Sequence, residues 1–486
     1  MVFLKKLAAV MFYASIPLLL PFFYSLYIDD GAAFSIGITV FVLAFAGIPG
    51  VLKNIVDTIS GFVRHFFHPE TPWNYANIFN VESMRKQVDV LTLGEILALT
   101  SIAWIAIPAI SSIPYLYYGL TPIDAFFESV SGWTTTGLSV IASVSNLPHS
   151  IILFRSITQW LGGLGIVVLM LTVIRSSESS KFLKIEGRSS SEIGFGSTVS
   201  SIWKIYLTLT VVGIILLFVA DIDFFNSVNL ASTGISTGGF FPSDSFDFSL
   251  IQKFVLALIT ISGATSFLFY RNLGRGNFKK AFFDEEFIFY LLLILLSVIL
   301  IFFIDHENSY DAFFGVVSAI TSSGFDIVSI IPFHNFSKYF LIILMIIGAM
   351  VGSTGGGLKL RRILILVKSI ILHIRAAFLP SGTVQVVKLN GSPIENSAIL
   401  ESAIFVFSYF LLFLVATGVF IAINYTIVDS MFIVASAMGN VGLSTIQVSA
   451  LGFGTKLFLI ILMYLGRIEI FPSLALIKFI GELVKK

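Results

Sequence analysis

Long apolar stretches alternate with short polar connectors along almost the whole chain. A helix needs about 20 mostly apolar residues to span the hydrocarbon core of a bilayer. Ten stretches approach or exceed that length, at residues 7–27, 32–52, 94–117, 150–174, 201–220, 250–269, 286–304, 337–372, 400–424 and 455–481. An even number of spans places both ends of the chain on one side. The pattern predicts an all-α polytopic membrane protein that lies in membrane lipid.

Composition agrees with this prediction and excludes several classes of function. The 486 residues are 56% hydrophobic and 12% charged, more apolar than one soluble core could bury. A formal net charge of +1 does not favour a nucleic-acid partner. The absence of cysteine excludes disulfides and thiolate metal sites. Since the chain has no nucleophile–base motif, zinc-binding HExxH or phosphate-binding loop, we predict that it is not an enzyme and needs no cofactor.

Charge along the chain predicts its orientation. Basic residues cluster in alternate connectors near 53–86, 175–204, 271–280 and 359–388, and at both ends. The opposite connectors carry mainly acidic residues, such as Asp221 and Asp305. Cytoplasmic connectors are enriched in Lys and Arg, so we expect both termini to be cytoplasmic, in a cell inner membrane.

Four connectors on the acidic side contain a repeated pattern. Each is apolar, too short to span, and ends in Gly, Thr and Ser, as re-entrant segments do where protein or water satisfies their backbone. Aligned on Gly137, Gly238, Gly324 and Gly442, three of them begin with an aspartate thirteen residues earlier, namely Asp124, Asp311 and Asp429. The second has Phe225 there, with Asp223 two residues before it. A basic residue opens each following span: Arg155, Lys253, Lys338 and Lys456.

The repeat predicts four pseudo-symmetric units of helix, short pore helix, glycine-containing filter and helix around one ion pore. We assign residues 1–90 to two N-terminal transmembrane helices and a cytoplasmic connector. The four units then occupy 91–200, 201–285, 286–395 and 396–486, and the second helix of the third unit is broken. Four ordinary turn glycines are the alternative, but the shared offset disfavours it.

The repeated residues suit a monovalent cation. A carboxylate at the start of a short helix can cap free N–H groups, and the helix then directs its partly negative C-terminal end toward the pore. Glycine permits the left-handed backbone that lets carbonyls replace the water of an ion. The predicted filter residues are Thr135, Thr136, Gly137, Ser236, Thr237, Gly238, Ser322, Ser323, Gly324, Asn440, Val441 and Gly442.

Seven stretches resemble the Trk/Ktr/HKT superfamily of potassium transporters, and the two leading helices resemble its TrkH-type branch. They are DAFFESVSGWTTTGLS, LFRSITQWLGGLGIVVL, STGISTGGF, SAITSSGF, GSTGGGLKLRRILIL, SAMGNVGLS and LGRIEI. The resemblance implies potassium uptake, a homodimer with one pore per protomer, and a cytoplasmic nucleotide-binding partner of the TrkA or KtrA kind. The expected K⁺ ligands are Thr135, Thr136, Ser236, Thr237, Ser322, Ser323, Asn440 and Val441. Coupled transport of K⁺ with H⁺ or Na⁺ is the alternative function.

The overlong eighth stretch, 337–372, predicts a gate. Gly352, Gly355, Gly356 and Gly357 should break the helix, since each glycine costs about 1 kcal/mol relative to alanine. We expect a flexible loop that crosses the pore below the filter, although a cytoplasmic turn would show the same residues. Arg467 lies within the last apolar stretch, where a charge costs roughly 2.5–3.5 kcal/mol. The resemblance places this arginine beside the pore, whereas an ion pair with Glu469 is the alternative.

Overall fold

The structure is a computed structural model of the chain. It describes residues 2–67, 92–173, 195–244, 247–305, 309–327, 330–380, 385–469, 473, 476–479 and 481. The basic connector predicted within 53–86 therefore lies partly outside the described residues, and the one within 175–204 lies mostly outside them.

The described part of the chain is almost entirely helical. The N-terminal helices are α1 (Val2–Ser15), α2 (Leu19–Ile28) and α3 (Ala33–Phe67). The first unit contains α4 (Leu93–Ser111), α5 (Ile113–Tyr117), α6 (Pro122–Trp133) and α7 (His149–Val173), and the second α8 (Phe195–Val219), α9 (Phe224–Ile235), α10 (Leu250–Ala264), α11 (Phe267–Gly274) and α12 (Phe278–Phe282). The third contains α13 (Glu285–Ile304), α14 (Ser309–Ile320), α15 (Asn335–Ile347), α16 (Leu360–Ala376) and the hairpin β1 (Lys388–Leu389) and β2 (Ser392–Pro393), and the fourth α17 (Asn396–Ala422), α18 (Ile427–Met438), a 3₁₀ turn (Val448–Ala450) and α19 (Phe453–Ile468).

Five helical stretches in the described residues are long and apolar enough to cross a membrane by themselves. They are Phe3–Ile28, Gly94–Tyr117, Ser200–Val219, Glu285–Ile304 and Asn396–Ala422, and a sixth arises if α10 and α11 count as one bent span. Large apolar side chains such as Leu296 and Phe407 are exposed on these helices. Exposed apolar surface of this extent suits contact with lipid chains.

The four short helices α6, α9, α14 and α18 form the centre of the molecule. Each packs against both long helices of its own unit and also against the closing helix of the preceding unit. These cross-unit contacts are α9 with α7, α14 with α10, α18 with α15, and α6 with α19. Because the fourth unit contacts the first, the four units close into a ring.

Three spans depart from simple transmembrane helices. The eighth predicted span consists of α15 and α16, separated by residues 348–359, which we call the glycine-rich connector. In the second unit, α10 and α11 meet at an angle of 94°, a bend that the sequence did not predict. In the last predicted span, α19 ends at Ile468, where Glu469 has a φ of 64°, and the described residues 473, 476–479 and 481 beyond this point are again helical.

Candidate functional site

Four buried segments follow the short helices, at 134–137, 236–239, 321–324 and 439–442, and we call them the candidate filter segments. In each, the second and fourth residues have left-handed backbone. The φ angles are 54° and 85° at Thr135 and Gly137, 54° and 74° at Thr237 and Gly239, 57° and 63° at Ser322 and Gly324, and 50° and 102° at Asn440 and Gly442. Left-handed backbone is costly for a residue other than glycine, so its recurrence marks one shared conformation.

The four segments meet one another in a closed order. A Cβ built on the glycine of one segment would overlap the carbonyl oxygen of the third residue of the next segment. The overlaps join Gly137 to Gly238 O, Gly239 to Ser323 O, Gly324 to Val441 O and Gly442 to Thr136 O. A ring of four backbone carbonyls is therefore packed against a ring of four glycines, and any side chain there would push two segments apart.

The second segment corrects the alignment from sequence by one residue. Its left-handed glycine is Gly239, so Gly238 corresponds to Thr136, Ser323 and Val441. The N–H groups of these four residues donate to the carbonyls five residues earlier, over 2.8–3.1 Å. In the corrected alignment, Lys253, Lys338 and Lys456 all lie fourteen residues after their glycines. That constant spacing was the sequence signal for the correct register.

The starts of the short helices also differ from the prediction. Thr121, Asp223 and Thr426 are the N-cap residues, and each accepts a hydrogen bond from the N–H three positions later. Asp124 and Asp429 occupy that third helical position and accept a bond from the hydroxyl of their capping threonine. In the second unit the aspartate is itself the cap, at Asp223. The third helical position there is Asn226, not Phe225, and its side-chain amide donates to Asp223.

The first-turn aspartates connect neighbouring units. Lys456 of the fourth unit pairs with Asp124 of the first at 2.6 Å, and Lys253 of the second pairs with Asp311 of the third at 3.3 Å. Lys338 instead donates to the carbonyl of Ile331 at 2.7 Å. Two of the three lysines thus hold the ring closed at its rim.

Arg155 does not correspond to these lysines, because it lies eighteen rather than fourteen residues after its glycine. One turn deeper, it is buried and forms an ion pair with the buried Glu128 at 2.7 Å. The same carboxylate accepts from the hydroxyl of Ser139 and the N–H of Val140, and Arg155 also donates to the carbonyl of Phe241. This cluster joins the chain just beyond the first and second candidate filter segments.

Three buried side-chain oxygens in the described structure have no hydrogen-bond partner and lie at the second position of their segments. They are Thr135 Oγ1, Ser322 Oγ and Asn440 Oδ1. The fourth residue of this set is Thr237. Its hydroxyl donates to the carbonyl of the adjacent Ser236 and lies 3.4 Å from the hydroxyl of Thr354. A buried polar atom without a partner is costly, so these oxygens fit a place where water or an ion completes their contacts.

The glycine-rich connector lies directly against the ends of the short helices. A Cβ on Gly355 would lie 3.0 Å from the carbonyl of Thr321, and one on Gly356 would overlap the carbonyl of Gly439. The hydroxyl of Thr354 contacts the carbonyls of Ile235 and Gly263 at 2.8 and 2.9 Å. The connector therefore touches the second, third and fourth units next to their candidate filter segments.

The predicted gate glycines are packed tightly in this structure. Gly355, Gly356 and Gly357 are buried, and the carbonyl of Gly352 accepts a bond from the N–H of Phe267 at 2.8 Å, at the bend between α10 and α11. The carboxylate of Glu286 accepts the N–H of Val351 at 2.7 Å. The bend between α10 and α11 in the second unit thus supplies a hydrogen-bond donor to the glycine-rich connector of the third unit.

Arg467 joins the connector to the first unit. Its guanidinium donates to the carbonyl of Thr354 at 2.8 Å and to that of Gly162, on α7, at 2.7 Å. The alternative pairing with Glu469 does not occur, because that carboxylate accepts two bonds from Arg362, at 3.0 and 3.1 Å. Arg467 therefore lies beside the connector and links it to α7 of the first unit.

The chain is similar to known proteins over most of its length. A family model described as a cation transport protein, TrkH, matches residues 95–483. An uncharacterized cation transporter of Methanocaldococcus jannaschii is 33% identical over 402 residues, which cover 79% of this chain and 82% of that protein. The Trk system potassium uptake protein TrkH of Escherichia coli is 30% identical over 424 residues, covering 81% and 86%.

A solved structure agrees with the sequence relatives. The crystal structure of the potassium transporter TrkH from Vibrio parahaemolyticus matches with a TM-score of 0.81 and 25% identity, over 98% of both chains. The predicted all-α polytopic membrane fold and the predicted family resemblance are confirmed. These relatives are transport proteins, which also confirms that the chain is not an enzyme.

Proposed function

Because the chain belongs to the TrkH family of cation transport proteins, we propose that it conducts K⁺ into the cell through an opening enclosed by the four candidate filter segments. The observation that carries this proposal is the closed order of contacts, in which each glycine lies against a carbonyl of the next unit. Two of the similar proteins carry potassium in their names, the TrkH proteins of Escherichia coli and Vibrio parahaemolyticus.

The ligand chemistry favours a monovalent cation. In a β-strand successive carbonyls point to opposite sides. Left-handed backbone at every second residue removes this alternation, so that successive carbonyls can face the same side. The third residues of the segments supply four carbonyls, and Thr135, Ser322 and Asn440 supply buried oxygens without partners. The C-terminal ends of four short helices add a negative field at this point. K⁺ is the transported ion, and no further cofactor is part of the proposal.

The gate is the glycine-rich connector together with Arg467. In the structure the connector lies against the second, third and fourth units, and Arg467 of the fourth unit ties it to the first. Ions that leave the ring of carbonyls would have to pass through the space that the connector occupies. Conduction would therefore require these contacts to break. Deleting Gly355, Gly356 and Gly357 should therefore raise flux in the absence of a partner while the preference for K⁺ is kept. A loss of that preference would show that the connector belongs to the filter.

The family resemblance and the distribution of charge support the assembly and orientation that we propose. We assign both termini to the cytoplasm of a cell inner membrane, since the basic connectors share one side. The functional unit is a homodimer with one pore per protomer. Nucleotide sensing resides in a cytoplasmic partner of the TrkA or KtrA kind that docks on the basic connectors. Purified chain without that partner should bind neither ATP nor NADH tightly.

Reversal potentials in liposomes test the function. With opposed K⁺ and Na⁺ gradients, the wild-type protein should reverse near the K⁺ equilibrium potential and should support growth of a bacterium deficient in potassium uptake. A reversal potential that also follows an imposed H⁺ or Na⁺ gradient would instead indicate coupled transport. No cation flux with or without a cognate partner would refute the proposal.

A further inference from the structure

The second candidate filter segment lacks a side chain that the other three possess. At the third position, Thr136, Ser323 and Val441 fill the space behind the carbonyl ring, whereas the second segment has Gly238 followed by Gly239. In the first and third segments this side chain is supported by a threonine two residues earlier, through Thr134–Thr136 and Thr321–Ser323 contacts of 2.7 and 3.0 Å. Two successive glycines without such support leave the backbone with the greatest conformational freedom.

Gln159, on α7 of the first unit, occupies the empty space. Its side chain is fully buried, and a Cβ built on Gly238 would fall 2.5 Å from Oε1 and 2.8 Å from Nε2. Nε2 donates to the carbonyl of Gly238 at 2.6 Å, and Oε1 accepts the N–H of Phe240 at 3.0 Å. Since one partner can only accept and the other can only donate, the orientation of the amide is fixed.

These two bonds hold the peptide groups on both sides of Gly239. The carbonyl of Gly238 belongs to the peptide before Gly239, and the N–H of Phe240 belongs to the peptide after it. One rigid amide thus restrains both dihedral angles of a glycine with a φ of 74°. A carbonyl oxygen has two lone pairs, so Gly238 O can accept this bond and keep a second lone pair for the ring.

We infer that Gln159 is a positioning residue that sets ion selectivity by holding the second segment in register with the other three. The residues that occupy the matching helical position, the eleventh of each closing helix, are Thr260, Met345 and Met463. A side-chain amide at this place is therefore particular to the first unit, which is the neighbour of the double glycine. The inference rests on the proposed function, because selectivity is its readout.

Two substitutions separate hydrogen bonding from filling of space. Gln159→Leu removes both bonds at similar volume. Gln159→Glu keeps the acceptor for Phe240 but sets a carboxylate oxygen against the carbonyl of Gly238. Each should lower the K⁺ over Na⁺ permeability ratio roughly five- to tenfold, the range expected for the loss of one or two hydrogen bonds. Each should also reduce the rise in melting temperature that KCl gives over NaCl.

Gln252→Leu is the matched control. The Gln252 amide caps α10 and donates to the carbonyl of Ala220, away from the segments, so its loss should leave the ratio unchanged. A wild-type ratio in both Gln159 variants, with normal protein yield, would overturn the inference and reduce Gln159 to packing. Absence of K⁺ flux in the wild-type protein would refute the proposed function instead, so the two failures are distinguishable.

A double variant covers the case in which the single variants do not fold. Gly238→Ser with Gln159→Ala returns a side chain to the third position, as at Ser323, and removes the amide that it would overlap. Gly238 is not left-handed, so serine meets no backbone strain there. We expect a permeability ratio near that of the wild type, because Ser236 lies two residues earlier and can support the new hydroxyl as Thr321 supports Ser323, which replaces the restraint from the amide. A folded double variant with low selectivity would overturn the inference that restraint of the second segment sets the ratio.

Discussion

Arg467→Lys distinguishes a cross-link from a simple positive charge. The guanidinium of Arg467 is buried and bonds the carbonyls of Thr354 and Gly162 through two separate nitrogens. A lysine keeps the charge, but its compact ammonium cannot reproduce the planar fork of arginine. It should therefore keep one of the two bonds and release either the connector or α7.

The structure gives the size of the expected effect. A hydrogen bond from a charged donor contributes about 1.5–3 kcal/mol. If one bond is lost only in the closed state, the equilibrium shifts toward open by the same amount, which is roughly 10- to 150-fold. Thallium or rubidium flux into liposomes without any partner should rise accordingly until the open state dominates. The K⁺ over Na⁺ ratio should stay constant, because Arg467 contacts the connector and not the candidate filter segments.

Two further variants complete the measurement. Lys456→Arg changes a cation on the same helix, where it pairs with Asp124 at the other end, and should leave flux unchanged. Arg467→Ala should raise flux at least as much as Arg467→Lys. If Arg467→Lys behaves as wild type while Arg467→Ala raises flux, charge alone maintains closure and the cross-link reasoning is wrong.

Three more predictions test the ring and its surroundings. Gly137→Ser and Gly239→Ala should each lower the K⁺ over Na⁺ permeability ratio about tenfold or more. Left-handed backbone costs L-residues roughly 1–2 kcal/mol, and the new Cβ would also overlap a carbonyl. An unchanged reversal potential would show that the glycine is not part of the filter. Asp326 lies two residues beyond its ring glycine, where the protein packed around the carboxyl group partly desolvates it and raises its pKa to about 6. Its charge is present above that pH and lost below it, so uptake should fall roughly two- to fivefold from about pH 7.5 to about pH 5, and Asp326→Asn should be low and independent of pH. Removing Glu128 or Arg155 alone should cost about 3–5 kcal/mol of stability, whereas replacing both with leucine should restore most of it in thermal melts, and simple additivity would contradict a coupled pair.

The sequence allows four units to be predicted in order, because apolar length and the repeated Asp-to-glycine spacing are local properties. It failed at the second unit, where Gly238 and Gly239 are adjacent and either fits a glycine-based alignment. The structure decides between them through backbone conformation, since only Gly239 is left-handed. The constant spacing to Lys253 could have given the same answer, had Arg155 not been grouped with the lysines.

Long-range partners were the other part that the sequence could not supply. Gln159 is one polar residue in an apolar helix, and nothing local indicates that its amide meets the chain at Gly238, 79 residues away. Arg467 likewise has Glu469 as its nearest carboxylate in sequence, yet a left-handed turn at residue 469 directs that group to Arg362. Pairings of this kind depend on how helices cross, which periodicity does not encode.

Four of the deviations from fourfold symmetry converge on the connector, and this gives those four a common explanation. The first unit contributes the carbonyl of Gly162, the second a bend at residues 265–266, the third the connector itself, and the fourth Arg467. In the proposed filter the ring needs four similar segments, because an ion held there would be surrounded by equivalent oxygens. The glycine-rich connector is a single segment that enters beside one unit and leaves beside another. It therefore needs different contacts from each of the four units. Four units fused in one chain can satisfy both requirements, whereas four identical subunits would place four connectors in the space that holds one.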